Sequence, residues 1–166
     1  MHNADIRLMA ISASILKWGL RFYPPLLFQR IWVVNISKDF KSTTVKVNRS
    51  LFNINYNQAI FGGTLFCAAD PFHPIMMHQV LINKGYKVIV WSKSAQINFL
   101  KPGNTDLRFT AMLTDADIAE AEHIINTEGK YTRIFNIEFY NKAGEVCVTV
   151  NNEVYIRNLN FNEKSA

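Results

Sequence analysis

Cysteine is scarce in this sequence. Only Cys67 and Cys147 occur, far apart and not in a Cys-x-x-Cys pair. A disulfide scaffold and a cysteine-rich zinc site are both excluded. Two buried, reduced thiols of a cytoplasmic protein are the expectation. Runs of Lys and Arg are missing too. The formal net charge is +5, but the basic residues are scattered. Neither the stripe nor the motif of a nucleic-acid-binding protein is present, whereas an anionic small ligand would suit the charge. No apolar run reaches the ~20 residues of a membrane-spanning helix, because Lys17, Arg21 and Arg30 interrupt the N-terminal stretch. Leu8 to Leu16 has the look of a signal-peptide core, yet Lys17 follows at once without a cleavage site. No metal-ligand set, internal repeat, low-complexity segment or interdomain linker is evident.

What is there points to one domain. The chain has 166 residues, of which 49% are hydrophobic, enough for one sizeable core. Leu8, Ile11, Ile15, Trp18 and Phe22 recur at helical spacing, and Pro24 and Pro25 stop that helix. A second short helix or turn is expected around Leu26 to Arg30. This N-terminal part, residues 1–30, reads as a helical extension docked on the main domain, in preference to one lying on a membrane surface. Residues 31–158 form that domain, and residues 159–166 a tail.

Within the domain the apolar period switches between two and 3.6. Trp32 to Ser37 and Thr43 to Arg49 read as strands. The Asn-rich segment from Leu51 to Ile60 reads as a loop. Phe61 to Ile82 is the longest apolar stretch and predicts a buried central helix. Pro71 and Pro74 lie inside it, so a kink is expected where they remove the bonds to the carbonyls of Cys67 and Asp70. Strands follow through Ala95–Phe99 and Leu107–Leu113. A short helix capped by Thr114 comes next, and strands through Arg133–Phe139 and Val146–Ile156 close the chain. One long buried helix with six strands predicts an α+β layer fold, a curved antiparallel sheet wrapped around the helix.

Several residues match a known pattern in order. Phe61-Gly62-Gly63 is followed seven residues later by Asp70, Asn55 lies six residues before Phe61, and Gln96 to Pro102 ends in a Phe-Leu-Lys-Pro turn. This set resembles the hotdog-fold thioesterases, in particular the phenylacetate-degradation type. There a His-Gly-Gly carries an acidic residue at the same offset and an Asn at the earlier one. With Phe in place of His, the chain is most similar to an uncharacterised branch of that superfamily. The resemblance covers Trp32 to Arg157. It implies a hotdog fold, acyl-thioester substrates such as acyl-CoA, and active sites shared between two subunits.

The residues themselves support that chemistry. Thioester hydrolysis needs a polarised carbonyl and a nucleophile. Gly62 and Gly63 would open the central helix, where unpaired N–H groups meet the positive end of the dipole. They are the candidate oxyanion donors, or else glycines that merely admit tight packing. Asp70 is the candidate base or nucleophile. Its apolar neighbours would raise its pKa; the alternative is a helix cap before Pro71. Eight residues of helix separate Gly62 from Asp70, about 12 Å. One helix cannot bring both to one carbonyl, but two antiparallel helices of a homodimer can.

Asn55 is a candidate for orienting water or substrate. His73, three residues after Asp70, could share its face and tune it. Phe61, His73, Lys101 and Arg108 complete the candidate substrate-binding set; Lys101 and Arg108, with Lys93, would meet the phosphates of coenzyme A. Phe72, Met76 and Met77 would line any acyl tunnel. The departure at Phe61 removes a hydrogen-bonding group from the loop before the helix. A non-catalytic acyl-thioester or lipid-binding protein is therefore the competing expectation. A dehydratase would require His73 to face substrate. Whether dimers pair into tetramers is left open, and no cofactor or metal is expected.

Overall fold

Alternating apolar residues build the sheet. In the computed structural model, which describes residues 11–161, six strands form one antiparallel sheet in the order β1-β2-β4-β5-β6-β3. They are β1 (Ile31–Ile36), β2 (Ser42–Val47), β3 (Val88–Phe99), β4 (Leu107–Met112), β5 (Lys130–Tyr140) and β6 (Val146–Asn158). In β4, Leu107, Phe109 and Ala111 are buried while Arg108, Thr110 and Met112 are exposed. That strict alternation leaves one face of the sheet for the core and gives the other to water.

The apolar stretch after the Asn-rich loop packs on the inner face. It forms two helices, α3 (Gly62–Ala69) and α4 (Phe72–Asn83). The expected kink is therefore a full break, at Asp70-Pro71. In α4 nine of the twelve residues are buried, so this helix is the centre of the core. Phe72 packs edge-on against Phe109 at 5.8 Å, and Phe109 tilts against Phe139 at 4.6 Å. These rings join the helix to β4 and β5. A sheet packed on a central helix is the α+β hotdog arrangement expected from the sequence.

Three further helices flank the sheet. Two belong to the N-terminal part, α1 (Ala13–Phe22) and α2 (Pro24–Phe28). The second begins earlier than the sequence reading placed it, because Pro24 and Pro25 stand at its first two positions, where a missing N–H costs nothing. Residues 1–10 and 162–166, where the start of the first helix and most of the tail were expected, lie outside the described residues. The last helix is α5 (Asp115–Thr127), opened by a capping box. Thr114 Oγ1 accepts from Asp117 N at 3.1 Å and Asp117 Oδ2 accepts from Thr114 N at 2.8 Å.

Strand β3 carries one irregularity that matters later. Its pairing with β6 shifts register between Ser92 and Ser94, so Lys93 is an extra residue. The inward positions change parity there, from Val88, Val90 and Ser92 to Ala95 and Ile97. The outer side of β3 pairs with no described strand.

Truncation of Phe109, 1% exposed at the meeting point of helix and sheet, is expected to cost about 3–5 kcal/mol. Urea unfolding of Phe109→Ala against the native chain measures it.

Candidate active site

Proline chemistry creates the site. Pro74 has no N–H, so the carbonyl of Asp70 loses its helical partner. Two side chains from the sheet replace it. Ser92 Oγ donates to Asp70 O at 2.9 Å, and Asn152 Nδ2 donates to the same oxygen at 3.1 Å. Ser92 lies beside the β3 bulge. Asn152 is fully buried in β6, at a position where its neighbours along the strand are Val150 and Val154. The elbow between α3 and α4 is thus tied to the middle of β3 and β6.

That tie presents the Asp70 side chain outward. Asp70 is exposed, and its carboxylate has no hydrogen-bond or ion-pair partner among the described residues. The apolar enclosure inferred from its sequence neighbours is absent, because Ala68, Ala69 and Phe72 turn into the core and leave the elbow at the surface. The capping alternative is absent as well: Pro71 is the first flanking residue of α4, and no side chain caps that helix.

The other end of α3 is built differently. Phe61 stands at the cap position, and its side chain cannot accept a hydrogen bond. Its carbonyl takes the N–H of Thr64 at 3.0 Å and of Leu65 at 3.3 Å. The N–H groups of Gly62 and Gly63 have no partner among the described residues. Close packing explains why both are glycines. A Cβ on Gly62 would sit 2.8 Å from Phe99 Cζ, and one on Gly63 would sit 2.3 Å from Phe61 Cε1. The tight-packing reading and the free-amide reading therefore both hold at this turn.

Gly62 also lines an open cleft of about 340 Å³, with Asn55, Phe99, Lys101 and Gly103 among its walls. Asn55 shapes the loop at its rim. Its Oδ1 accepts from Asn57 N at 2.9 Å and Ala59 N at 3.2 Å, the side-chain-to-backbone turn that Asn favours. Lys101 pairs with Glu145 at 2.6 Å, which holds its ammonium pKa above the ordinary value and the Glu145 carboxyl below its own. Both are exposed, so the pair is readily exchanged.

The structure thus brings together Asn55, Phe61, Gly62, Gly63 and Lys101. Asp70 stands apart from them, at the far end of α3. Arg108 is elsewhere, in a shallow depression with Asn136, Glu138 and Tyr140. His73 does not reach Asp70. It is 1% exposed and stacks on Phe135 at 4.6 Å. Burial drives its pKa down from 6.5 to about 4, opposed by the backbone carbonyl of Met112, which favours the protonated ring, and by the charge of Asp117. Phe72, Met76 and Met77 are core residues with no surface exposed to a tunnel mouth. Sequence reasoning missed Ser92, Asn152 and Phe99. The available signal for Asn152 was a polar residue at an inward slot of an apolar row.

Comparison with known proteins bears on the fold and the family. The family model described as Domain of unknown function (DUF4442) matches residues 12–156. No match to a curated protein was found. Among solved structures, a protein of unknown function and probable thioesterase from Pseudomonas aeruginosa superposes with a TM-score of 0.75 at 15% identity, covering 90% of this chain and 98% of that one. A Haemophilus influenzae thioesterase gives 0.67 at 11% identity, covering 93% and 96%. The PaaI protein of the E. coli phenylacetic acid degradation operon gives 0.60 at 17% identity, covering 89% and 96%. At these identities the likeness establishes the fold.

Two measurements follow. Asn152→Leu leaves the Asp70 carbonyl with one partner, and a loss of about 1–3 kcal/mol is expected in urea unfolding. For His73, the unfolded chain binds the proton more readily than the folded one. Its contribution is intact above pH 6.5 and is lost as the pH falls toward about 4, a loss of about 3 kcal/mol. His73→Phe, which keeps the stack, should show a stability profile flatter by that amount across this window.

Proposed function

The chain belongs to the DUF4442 family, and from that premise we propose that it is an acyl-thioester hydrolase working as a homodimer. The observation that carries the reading is the elbow: an unpaired, exposed carboxylate on a residue whose backbone carbonyl is bonded by Ser92 and Asn152, on a fold shared with a thioesterase and a probable thioesterase.

Each end of α3 supplies half of the chemistry. The N–H groups of Gly62 and Gly63 sit at the positive end of the helix and would hold the oxyanion. Asp70 would take a proton from water as the water oxygen adds to the thioester carbon. Collapse of the adduct breaks the C–S bond, and the proton passes to the leaving thiolate. Direct attack by the carboxylate, with an anhydride later hydrolysed, uses the same geometry.

A partner subunit completes the arrangement. Strand β3 is a twelve-residue edge with exposed Trp91 and Phe99, and a long bare edge invites pairing. Asp70 is tied to β3 at Ser92, while Gly62 abuts it at Phe99. Antiparallel pairing of two β3 edges about a two-fold axis between Ala95 and Gln96 would set Ser92 opposite Phe99 of the partner subunit. Asp70 of one chain then approaches the amides of the other, which eight helical residues forbid within one chain. Lys101 at the rim would exchange Glu145 for a coenzyme A phosphate.

One observation favours a second reading, a non-catalytic acyl-thioester or lipid-binding protein. The rings of Phe61, 55% exposed, and Phe99, 56% exposed, lie over the glycine turn and offer apolar contact in place of a polar group.

A complementation assay separates the two. Asp70→Asn should keep acyl-CoA binding and lose hydrolysis by about a hundredfold or more. Gly62→Val should be inactive for the complementary reason. Refolded together, the two variants should regain activity, because one site of each heterodimer is intact. Unchanged turnover in Asp70→Asn would exclude Asp70 as the base, and tight binding without turnover across an acyl-CoA panel would exclude the hydrolase reading.

A further inference from the structure

The N-terminal helix docks on the domain by one narrow side only. Ala13, Leu16 and Leu20 pack against the core, and no residue of α1 is fully buried. The opposite stripe is also apolar. Ile15 is 64% exposed, Trp18 46% and Phe22 63%. Their spacing of three and four places them on one face of the helix. In α2, the next helix along the chain, Phe28 is 74% exposed as well. A protein that spends its surface this way has something to cover it.

Charge indicates what the cover is. From Ile6 to Lys38 the sequence holds no Asp or Glu, and it holds Arg7, Lys17, Arg21, Arg30 and Lys38. Arg21 is fixed: its guanidinium donates to the carbonyls of Val33 and Val34, at 2.8 and 3.3 Å, and lies over the rings of Trp18 and Trp32, 4.4 Å from each. Lys17 and Arg30 form no ion pair among the described residues. Apolar and aromatic side chains flanked by unpaired cations, with no acid in this stretch of sequence, match the boundary between acyl chains and anionic headgroups.

A second copy of this chain fits the face poorly. Two-fold pairing would bring a patch with unpaired cations onto an identical patch, with no opposite charge in the same stretch of chain to meet them. The face also lies by β1, at the opposite end of the sheet from the β3 edge, so subunit pairing through β3 leaves it open. We propose that Ile15, Trp18, Phe22 and Phe28, with Lys17 and Arg30, form a docking surface for an anionic lipid bilayer. No helix among the described residues is long and apolar enough to cross a membrane, so the contact is peripheral.

The surface adjoins the cleft. Gln29, at the end of α2, accepts a hydrogen bond from Asn53 Nδ2 at 2.8 Å, and the Asn53 carbonyl accepts the N–H of Phe61 at 2.7 Å. In the same loop Leu51 and Phe52 are 89% and 84% exposed. Docking would set the first turn of α3 close to the lipid. The lipid contact itself stands independently of the proposed hydrolysis.

Flotation of the full chain with vesicles tests it without any activity readout. The native chain should float with phosphatidylcholine vesicles containing about one third phosphatidylglycerol, bind pure phosphatidylcholine far less, and be released by salt. Ile15→Ser with Phe22→Ser, and separately Lys17→Glu with Arg30→Glu, should each weaken partitioning by about tenfold or more. All four side chains lie on the surface, so the circular dichroism should stay native. The proposal fails if the native chain does not bind anionic vesicles, or if neither pair of changes weakens binding. It also fails if the Ile15/Phe22 pair lowers the mass in solution, since a second copy would then be the occupant.

Discussion

One missing hydrogen organises the centre of this protein. Pro74 cannot donate to the carbonyl of Asp70, and a carbonyl left without a partner at the rim of the core costs up to about 1–3 kcal/mol. The fold meets that cost from outside the helix, with Ser92 and Asn152. Because those donors come from the two paired strands β3 and β6, the repair also fixes the angle and height of the elbow above the sheet. A helix unbroken from Gly62 to Asn83 would keep the Asp70 carbonyl inside its own ladder, with nothing to tie it to the sheet. The break is the reason a carboxylate can stand in solvent at a defined place on an otherwise apolar segment.

The bulge in β3 belongs to the same device. Without Lys93 as an extra residue, the inward parity of β3 would run unchanged. Either Ser92 would point away from the elbow, or Ala95 and Ile97 would point away from the core. Lys93 itself is turned outward and pairs with Glu153 at 3.0 Å. One inserted residue lets a polar contact and an apolar packing surface share a single strand.

The layers of the fold were legible in the sequence because each strand and helix announces its buried face through its period. The alternation in Leu107–Leu113 and the helical spacing of Ile118, Ala121 and Ile125 reappear as burial. Both prolines in the central stretch were legible as lost hydrogen bonds. What replaced those bonds was not, since Asn152 lies 82 residues from Asp70 and a local pattern carries no information on such a pairing. The same limit applied to His73. Its spacing from Asp70 is that of a shared helical face, but the break between them cancels the spacing, and the imidazole turns to Phe135 in the core. Exposure of Asp70 was misread for a related reason: neighbours in sequence are not neighbours in space at an elbow.

The departure at Phe61 bears on the two readings of the site in opposite ways. A Ser, Asp or Asn at the cap would accept the N–H of the second or third helical residue and add about 1 kcal/mol to the helix. The third is already bonded to the Phe61 carbonyl, so such a side chain would consume the amide of Gly63. Phe61 forgoes that stabilisation and leaves both glycine amides unspent. Its ring instead packs on the Cα of Gly63, as Phe99 does on Gly62. The turn therefore keeps its donors while surrounding them with apolar surface. Under the proposed hydrolysis, a developing oxyanion here would gain more from these donors than in water, and the thioester, less polar than its tetrahedral adduct, would gain less. If the chain hydrolyses thioesters as proposed, Phe at this position leaves both glycine amides free for the oxyanion.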